Sequence, residues 1–248
     1  MLKNKIIIVT GASGLIGSLT VKDLLSKGAI VIGADISMNS NLIEDLDFVL
    51  CNTAEKAGID QLIDFVLKKY DRIDGLVNLS YPRTSDWGLK FEEIPYDSWE
   101  KNVDMQLNAV FYICQRVLEV MKMQMSGSVV NIASIYGVVG NDFSLYEEYG
   151  GTSPAAYSAI KGGIVNFTKY LCSYYGKYNL RINCVSPGGI IDEKNQHPSF
   201  IKRYSEKSPM GRLGRPEEIA PAISFLLSND ASFINGHNLM VDGGWTAI

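Results

Sequence analysis

The apolar residues of this 248-residue chain recur in short runs that are rich in Ile and Val and have the length of β-strands. Longer segments with helical spacing of apolar positions separate most of these runs. The strand-like runs are KIIIVT at 5–10, AIVIGAD at 29–35, DFVLC at 47–51, IDGLVNLS at 73–80, GSVVNIAS at 127–134, LRINCVS at 180–186 and HNLMVDGG at 237–244. The helical segments are 15–27, 55–70, 97–123, 154–175 and 216–227. This alternation predicts one α/β domain over 1–248, a doubly wound parallel sheet of about seven strands with right-handed crossovers and helices on both faces.

The composition is that of an ordinary globular protein, with 46% apolar residues, 20% charged residues and a formal net charge of −4. Proteins that bind nucleic acids usually carry a basic surplus, so we expect no nucleic-acid partner. The apolar runs are shorter than the roughly 18 residues that a membrane-spanning helix needs, so we expect no membrane partner. The four cysteines, Cys51, Cys114, Cys172 and Cys184, form no C-x-x-C pair. This favours reduced thiols in a cytoplasmic protein without a metal site.

The stretch TGASGLIG at 10–17 follows the first predicted strand and leads into the first predicted helix. Its glycines, Gly11, Gly14 and Gly17, allow the backbone to approach a ligand closely, and the start of the helix offers N–H groups to an anion. A glycine-rich turn at this place in a βαβ unit is typical of the pyrophosphate site of a Rossmann-like fold. The sequence therefore predicts a dinucleotide-binding domain.

Asp35 ends the second predicted strand, 18 residues after Gly17. This is close to the offset of about 20 residues at which an acidic side chain binds the ribose hydroxyls of NAD. A 2′-phosphate would lie a few Å from this carboxylate, at a cost of several kcal/mol at an effective dielectric constant of about 20. No Arg or Lys occurs in 11–17 or 35–41 to offset that repulsion. NAD(H) is therefore the predicted cofactor, rather than NADP(H).

The stretch SPAAYSAIKGG at 153–163 carries Tyr157 and Lys161 four positions apart, which places both on one face of a helix. Ser153 is predicted to cap this helix, with Pro154 in its first turn. A lysine about 5 Å from a phenol lowers its pKa by about two units at an effective dielectric constant of about 20. Tyr157 is therefore a candidate general acid/base near neutral pH.

Together with these residues, three further motifs resemble the short-chain dehydrogenase/reductase family, in its branch of about 250 residues, and the resemblance spans almost the whole chain. GSVVNIASIYG at 127–137 places Ser134 at the position of the family's catalytic serine. NCVSPGGI at 183–190 resembles the segment that closes over the nicotinamide. PMGRLGRPEEIAPAISFLLSNDASFINGHNLMVDGG at 209–244 resembles the C-terminal signature.

The resemblance implies that Tyr157 exchanges a proton with the substrate oxygen while hydride moves to or from the nicotinamide of NAD. Ser134 would hold that oxygen, and Lys161 would bind the nicotinamide ribose. Gln106 stands where the family has a proton-relay asparagine and is a candidate for that role. A homotetramer assembled through the helices at 97–123 and 154–175 is also implied. The predicted cofactor contacts are Gly11, Ser13, Gly14, Leu15, Ile16, Gly17, Asp35, Ile36, Asn52, Thr53, Asn78, Tyr157, Lys161, Pro187, Gly188 and Ile190.

The chain also departs from the family's usual pattern. The glycine spacing at 11, 14 and 17 resembles the family's extended branch, and LVNLSYP at 76–82 retains only Asn78 of the N-N-A-G motif. Ser134 and Tyr157 are 23 residues apart, against about a dozen in the family. The excess segment, 141–151, should project at the carboxyl ends of the strands, where substrates bind. We predict substrate-binding loops at 81–96, 140–153 and 189–209, with substrate contacts from Tyr136, Tyr146, Tyr149 and Arg83.

These residues predict an oxidoreductase that interconverts a hydroxyl and a carbonyl group on a polar, sugar-like substrate. The segment around the insertion also resembles a subgroup linked to bacterial surface-sugar pathways, such as flagellin modification. A 3-oxoacyl carrier-protein reductase is the alternative, because the C-terminal signature resembles that group, although Asp35 disfavours its customary NADPH. A non-catalytic NAD-sensing module is the alternative of another class. The presence of Ser134, Tyr157 and Lys161 argues against it.

Overall fold

The computed structural model describes residues 2–38 and 46–248, in which seven strands form one parallel sheet. The strands are β1 (Ile6–Thr10), β2 (Ile30–Asp35), β3 (Asp47–Leu50), β4 (Gly75–Asn78), β5 (Gly127–Ile132), β6 (Leu180–Pro187) and β7 (Asn238–Val241). Their spatial order is β3-β2-β1-β4-β5-β6-β7. The chain therefore starts near the centre, builds one half of the sheet outward and then crosses back to build the other. The predicted doubly wound sheet is confirmed.

The α-helices of the described chain are α1 (Leu15–Ser26), α2 (Lys56–Tyr70), α3 (Tyr96–Val103), α4 (Ala109–Gln124), α5 (Ala155–Tyr175), α6 (Pro198–Lys207) and α7 (Ala220–Leu227). The bounds of α1, α2 and α5 agree with the prediction within one residue. A π-helical turn, Asp104–Asn108, interrupts the helix predicted over 97–123. A 3₁₀ turn, Pro216–Glu218, precedes α7. None of the described helices is long and apolar enough to cross a membrane.

Two local predictions are wrong. Pro154, rather than Ser153, occupies the N-cap position of α5, and no side chain caps that end. Ser153 instead accepts a hydrogen bond from the side-chain amide of Asn141, which ties the start of α5 to the insertion. The segment 189–209, predicted as a loop, contains α6.

Helices cover both faces of the sheet, and neighbouring residues of a strand point to opposite faces, so a strand can contribute to two cores. Ile6 and Ile8 of β1 belong to the core that includes α2, α4 and α5. Ile7 and Val9 belong to the core that includes α1 and α7. All four side chains are buried, which explains why β1 is an uninterrupted apolar run. The predicted cover of helices on both faces is confirmed.

The functional edge of the sheet follows from its strand order. β1 and β4 are neighbours in space, and the connections that leave their carboxyl ends run to opposite halves of the sheet. Such a reversal opens a crevice at the carboxyl edge, where open α/β sheets bind their ligands. The turns that follow β1, β2, β4, β5 and β6 all meet there.

Candidate active site

Glycines determine the shape of the turn after β1. Gly11 has a φ of 66°, a left-handed conformation that other residues rarely adopt. A Cβ on Gly17 would collide with the carbonyl oxygen of Gly11, so only glycine allows α1 to pack this closely on the turn. Gly14 donates its N–H to the Gly11 carbonyl at 3.1 Å, and α1 begins at Leu15. The first residues of α1 therefore lie at the wall of a cleft at the carboxyl edge.

Asp35 holds a fixed position at the end of β2. One of its carboxylate oxygens accepts the N–H of Ser13 at 3.0 Å, and the other accepts the N–H of Ile36 at 2.7 Å. The Asp35 carboxylate is therefore anchored beside the glycine turn. Residues 39–41, which belong to the segment without Arg or Lys after β2, lie outside the described residues.

The cleft has a volume of about 660 Å³, which is in the range of sites for small molecules and cofactors. It brings together residues that lie far apart in the sequence. The predicted site residues that line it are Gly11, Gly14, Leu15, Ile16, Gly17, Asp35, Ile36, Asn52, Thr53, Arg83, Ser134, Tyr136, Tyr157, Lys161, Pro187, Gly188 and Ile190. Within residues 2–38 and 46–248, no group of three or more His, Cys, Asp or Glu side chains could hold a metal ion.

Ser134, Tyr157 and Lys161 converge in this cleft. Ser134 follows β5, its Oγ accepts the N–H of Tyr136 at 3.2 Å, and its side chain forms a hydrogen bond with Tyr157. Lys161 lies one turn after Tyr157 on α5 and donates to the carbonyl oxygen of Ile132 at 2.8 Å. Its Nζ is 5.6 Å from the centre of the Tyr157 ring. The spacing of four residues thus places both side chains on the face of α5 that meets β5.

Burial dominates the electrostatics at these residues. It raises the pKa of the Tyr157 phenol, and the hydrogen bond with Ser134 opposes that shift. Burial also lowers the pKa of the Lys161 ammonium to about 8, with an opposing contribution from Cys184. The pKa of Tyr157 therefore lies above its usual value, whereas the sequence predicted a value below it. Desolvation of the phenolate is the main cause of the raised pKa, and the Lys161 ammonium is directed at the Ile132 carbonyl.

Two predicted cofactor contacts, Ser13 and Asn78, do not belong to the lining of the cleft. Asn78 turns its amide into the protein and donates to Asn131 Oδ1 at 2.8 Å. Asn131 in turn donates to Thr168 Oγ1 at 2.9 Å, so the three side chains join β4, β5 and α5 in a buried network. Ser13 Oγ donates to the carbonyl oxygen of Ser37 at 2.6 Å. Both residues therefore support the walls of the site from behind.

Gln106, the candidate relay residue, lies in the π-helical turn between α3 and α4 and is buried. Its Nε2 donates to the carbonyl oxygen of Pro82 at 2.8 Å. Its side chain does not line the cleft. A π-helical turn adds one residue to a helical turn and changes the direction of its side chains. In this structure Gln106 holds the loop after β4, which carries Tyr81 and Arg83.

The insertion 141–151 docks on α6 through charges. Arg203 of α6 donates to the carbonyl oxygen of Ser144 at 2.6 Å and pairs with Glu147 at 3.2 Å. Lys207 of α6 pairs with Asp142. The insertion and α6 therefore form one unit beside the cleft.

Two tyrosines of the insertion contact α6 rather than the cleft. The ring of Tyr149 stacks on His197 with centroids 4.4 Å apart, and the ring of Tyr146 lies 5.4 Å from that of Phe200. Neither tyrosine belongs to the lining of the cleft, whereas Phe200 does. The insertion therefore builds the wall indirectly, by holding α6 in place.

Several residues that line the cleft were not predicted as contacts: Tyr81, Asp192, Gln196, Phe200 and Tyr204. Tyr81 packs edge to face on Tyr157 and on Trp87, with centroid distances of 5.6 Å and 5.8 Å. Its place directly after β4 was a signal, because that strand ends at the ligand-binding edge. The residues of α6 carried a second signal, since Phe200 and Tyr204 are four positions apart after a proline.

Comparison with known proteins agrees with this geometry. The family model described as enoyl-(acyl carrier protein) reductase matches residues 11–246. The chain is 33% identical over 256 residues to post-translational flagellin modification protein A of Campylobacter coli, covering 99% of each chain. It is 34% identical over 256 residues to 7alpha-hydroxysteroid dehydrogenase of Bacteroides fragilis, covering 98% of this chain and 95% of the relative. It is 31% identical over 254 residues to 3-oxoacyl-(acyl-carrier-protein) reductase of Thermotoga maritima, covering 98% of each.

Among solved structures, a short chain dehydrogenase from Leptospira borgpetersenii with bound NAD⁺ is similar, with a TM-score of 0.90 and 32% identity. The match covers 99% of this chain and 94% of that one. The chain belongs to the short-chain dehydrogenase/reductase family, the family that its motifs resemble.

Proposed function

We propose that this chain is an NAD(H)-dependent oxidoreductase that interconverts a hydroxyl and a carbonyl group on a polar, sugar-like substrate. The observation that supports this most directly is that Ser134, Tyr157 and Lys161 share one cleft with the glycine turn and Asp35. Asp35 ends β2 and Ser134 follows β5, and these strands are three spacings apart in the sheet, about 14 Å. An extended dinucleotide fits that span, with its adenosine end at Asp35.

The three clustered side chains divide the chemistry at the substrate oxygen. When bound, the nicotinamide cofactor accepts or delivers the hydride. In reduction, the hydroxyl of Tyr157 donates its proton to the substrate carbonyl oxygen, and in oxidation it takes that proton back. Ser134 Oγ holds the same oxygen. Lys161 uses one N–H for Ile132 and has two more for ribose hydroxyls, which fixes its charge near the phenol and stabilises the phenolate.

Asp35 supports NAD(H) rather than NADP(H). Its carboxylate is held by two backbone N–H groups at the end of the cleft that receives the adenosine ribose. The basic residues among the described lining are Arg83 and Lys161, which lie after β4 and on α5. Neither follows β2, where a 2′-phosphate would need a positive charge.

The polar character of the substrate is supported by the lining beyond Tyr157. Arg83 and Asp192 offer charged groups there. One relative is named as a flagellin modification protein, which agrees with a sugar-like substrate. Reduction of a 3-oxoacyl carrier-protein thioester is the second candidate, because a relative of similar identity is named for that reaction.

The test is to follow NADH absorbance while the protein meets free, acidic, phosphorylated and nucleotide-linked sugars, and a short 3-oxoacyl thioester. Tyr157→Phe serves as the matched variant, because it removes the phenolic proton and keeps the ring. We expect turnover on one sugar class, a loss of at least a hundred-fold in the variant, and unchanged NADH binding. Turnover on the thioester alone would favour the carrier-protein reaction. Tight NADH binding without turnover on any compound would favour a sensing module.

We also propose that four copies assemble through α4 and α5, as the family resemblance implies. Phe111, Phe167, Tyr170 and Tyr174 form a continuous aromatic ridge on these helices, with successive centroids 6.1, 6.3 and 6.1 Å apart. Tyr170 and Tyr174 are 60% and 55% exposed, and exposed apolar patches of this kind are typical of interfaces. Light scattering should give a tetramer, and Tyr170→Glu should dissociate it. A monomeric wild-type protein would contradict the assembly.

A further inference from the structure

Arg83 occupies a distinctive place in the cleft, beside the tyrosine that the proposed function makes the acid/base. Its guanidinium lies 5.6 Å from the centre of the Tyr81 ring. The Tyr81 ring in turn packs edge to face on Tyr157, with centroids 5.6 Å apart. A single aromatic ring therefore separates Arg83 from the site of proton transfer.

The backbone on both sides of Arg83 is held by buried amide side chains. Gln106 Nε2 donates to the carbonyl oxygen of Pro82 at 2.8 Å. The N–H of Thr84 donates to Asn102 Oδ1 at 3.1 Å. Gln106 and Asn102 are 4% and 2% exposed, so these hydrogen bonds are shielded from water. The loop that carries Arg83 is thus built to keep the side chain at the cleft.

Arg83 has no carboxylate within ion-pair distance in the part of the chain that the structure describes. Two cations of α6 are neutralised, Arg203 by Glu147 and Lys207 by Asp142. Asp86, the acidic residue nearest to Arg83 in sequence, accepts a hydrogen bond from Ser98 Oγ at 2.7 Å. Of the two basic residues in the described lining of the cleft, Lys161 donates to the Ile132 carbonyl, which leaves the exposed guanidinium of Arg83 for a ligand.

We propose that Arg83 binds an anionic group of the substrate, a carboxylate or a phosphate, while Tyr157 meets the reacting oxygen. A guanidinium offers two parallel N–H donors that match either anion. The Tyr81 ring beneath it shields one face from water and strengthens that attraction. The pyrophosphate of the cofactor is a less suitable partner, because the glycine turn that receives it follows β1. This inference rests on the proposed function and adds the charge of the substrate.

The test measures binding to the enzyme–NADH complex, so that it does not depend on turnover. Glucose 6-phosphate, glucuronate and neutral glucose are titrated while the fluorescence of bound NADH is followed. The proteins are the wild type, Arg83→Gln and Lys90→Gln. Lys90 is the matched control, because it is an exposed cation of the same loop that does not line the cleft.

We expect the wild type and Lys90→Gln to bind at least one anionic sugar ten-fold or more tightly than glucose. Arg83→Gln should weaken the binding of that sugar by roughly ten-fold to a hundred-fold, which is the effect of a charge-assisted hydrogen bond. The affinity for glucose should stay unchanged. Preference for glucose 6-phosphate identifies a phosphate group, and preference for glucuronate identifies a carboxylate. The affinity for NADH should stay within two-fold.

Three results would overturn the inference: no anionic preference in the wild type, a preference that Arg83→Gln retains, or a preference that Lys90→Gln loses equally. A weaker NADH affinity in Arg83→Gln with an unchanged sugar preference would assign Arg83 to the cofactor instead. Failure of the proposed function has a different signature, namely absence of NADH binding in the wild type or full turnover in Tyr157→Phe.

Discussion

Lys161 should destabilise the folded protein at neutral pH although the proposed chemistry requires it. Its side chain is buried, and burial lowers the pKa of its ammonium from the usual 10.5 to about 8. Each pKa unit corresponds to 1.36 kcal/mol, so the protonated folded form carries a penalty of about 3 kcal/mol. Below pH 8 both folded and unfolded chains hold the proton and the penalty is complete. Between pH 8 and 10.5 only the unfolded chain holds it, so stability rises with pH.

Lys161→Met tests this reasoning, because methionine keeps an apolar stem and removes the ammonium. The variant also loses the hydrogen bond to the Ile132 carbonyl, worth about 1 kcal/mol. At pH 7 the variant should therefore be more stable than the wild type by about 2 kcal/mol. At pH 9.5 most of this advantage should be gone, because the wild type has lost much of its penalty. The same variant should lose turnover, since the phenolate of Tyr157 has lost its neighbouring charge.

The assay is urea unfolding of the cofactor-free protein at pH 7 and 9.5, at one protein concentration so that assembly does not alter the comparison. Taking the difference between the two proteins at each pH cancels the titration of other groups. Lys169→Met is the control, because Lys169 lies on the same helix and is exposed. The free energy of unfolding of this variant should depend on pH as that of the wild type does. If the free energy of unfolding changed equally between pH 7 and 9.5 in Lys161→Met and in the wild type, the proposed cost of burying Lys161 would be refuted.

Three further outcomes are expected. Asp35→Ala should weaken NADH binding about ten-fold, because it removes the acceptor for the ribose hydroxyls. It should also reduce the preference for NADH over NADPH by at least that factor, because it removes the repulsion of a 2′-phosphate. An unchanged ratio of the two dissociation constants would contradict this. Gln106→Leu should raise the KM for substrate about ten-fold with kcat nearly unchanged, because it frees the Pro82 carbonyl; a fall in kcat alone would instead indicate a proton relay. Leu62→Ala, at a fully buried position of α2, should cost about 2–5 kcal/mol in urea unfolding, against less than about 0.5 kcal/mol for exposed Lys68→Ala; equal effects would show that α2 does not pack as described.

The substrate wall shows where prediction from sequence reached its limit. The insertion 141–151 was recognised by its length and its position after β5, but the role of its tyrosines depends on α6. Phe200 and His197 receive these rings, and they lie about fifty residues further along the chain. The amphipathic pattern of α6 is short, and its apolar side is complete only when the insertion and Trp245 pack on it. A local pattern cannot show such a partner.

Side-chain direction was the second limit. Asn78 and Gln106 stand at positions where the family resemblance implied contacts with the cofactor or the proton relay. Asn131 draws the amide of Asn78 into the protein, and the π-helical turn aims Gln106 at the Pro82 carbonyl. Both orientations depend on hydrogen-bond partners from other elements, because a buried amide must be hydrogen-bonded and therefore turns toward the available partner.

The sequence by itself determined the order of strands and helices, the glycine turn, the place of Asp35 and the pairing of Tyr157 with Lys161. Each of these depends on neighbours within a few residues, on apolar periodicity, backbone freedom or helical spacing. Only the tertiary structure decided the electrostatics of that pair and the position of Arg83 beside Tyr81 at the cleft. Burial is a property of the whole fold, and here it raises the pKa of Tyr157 and lowers that of Lys161, although the two groups are close on one helix.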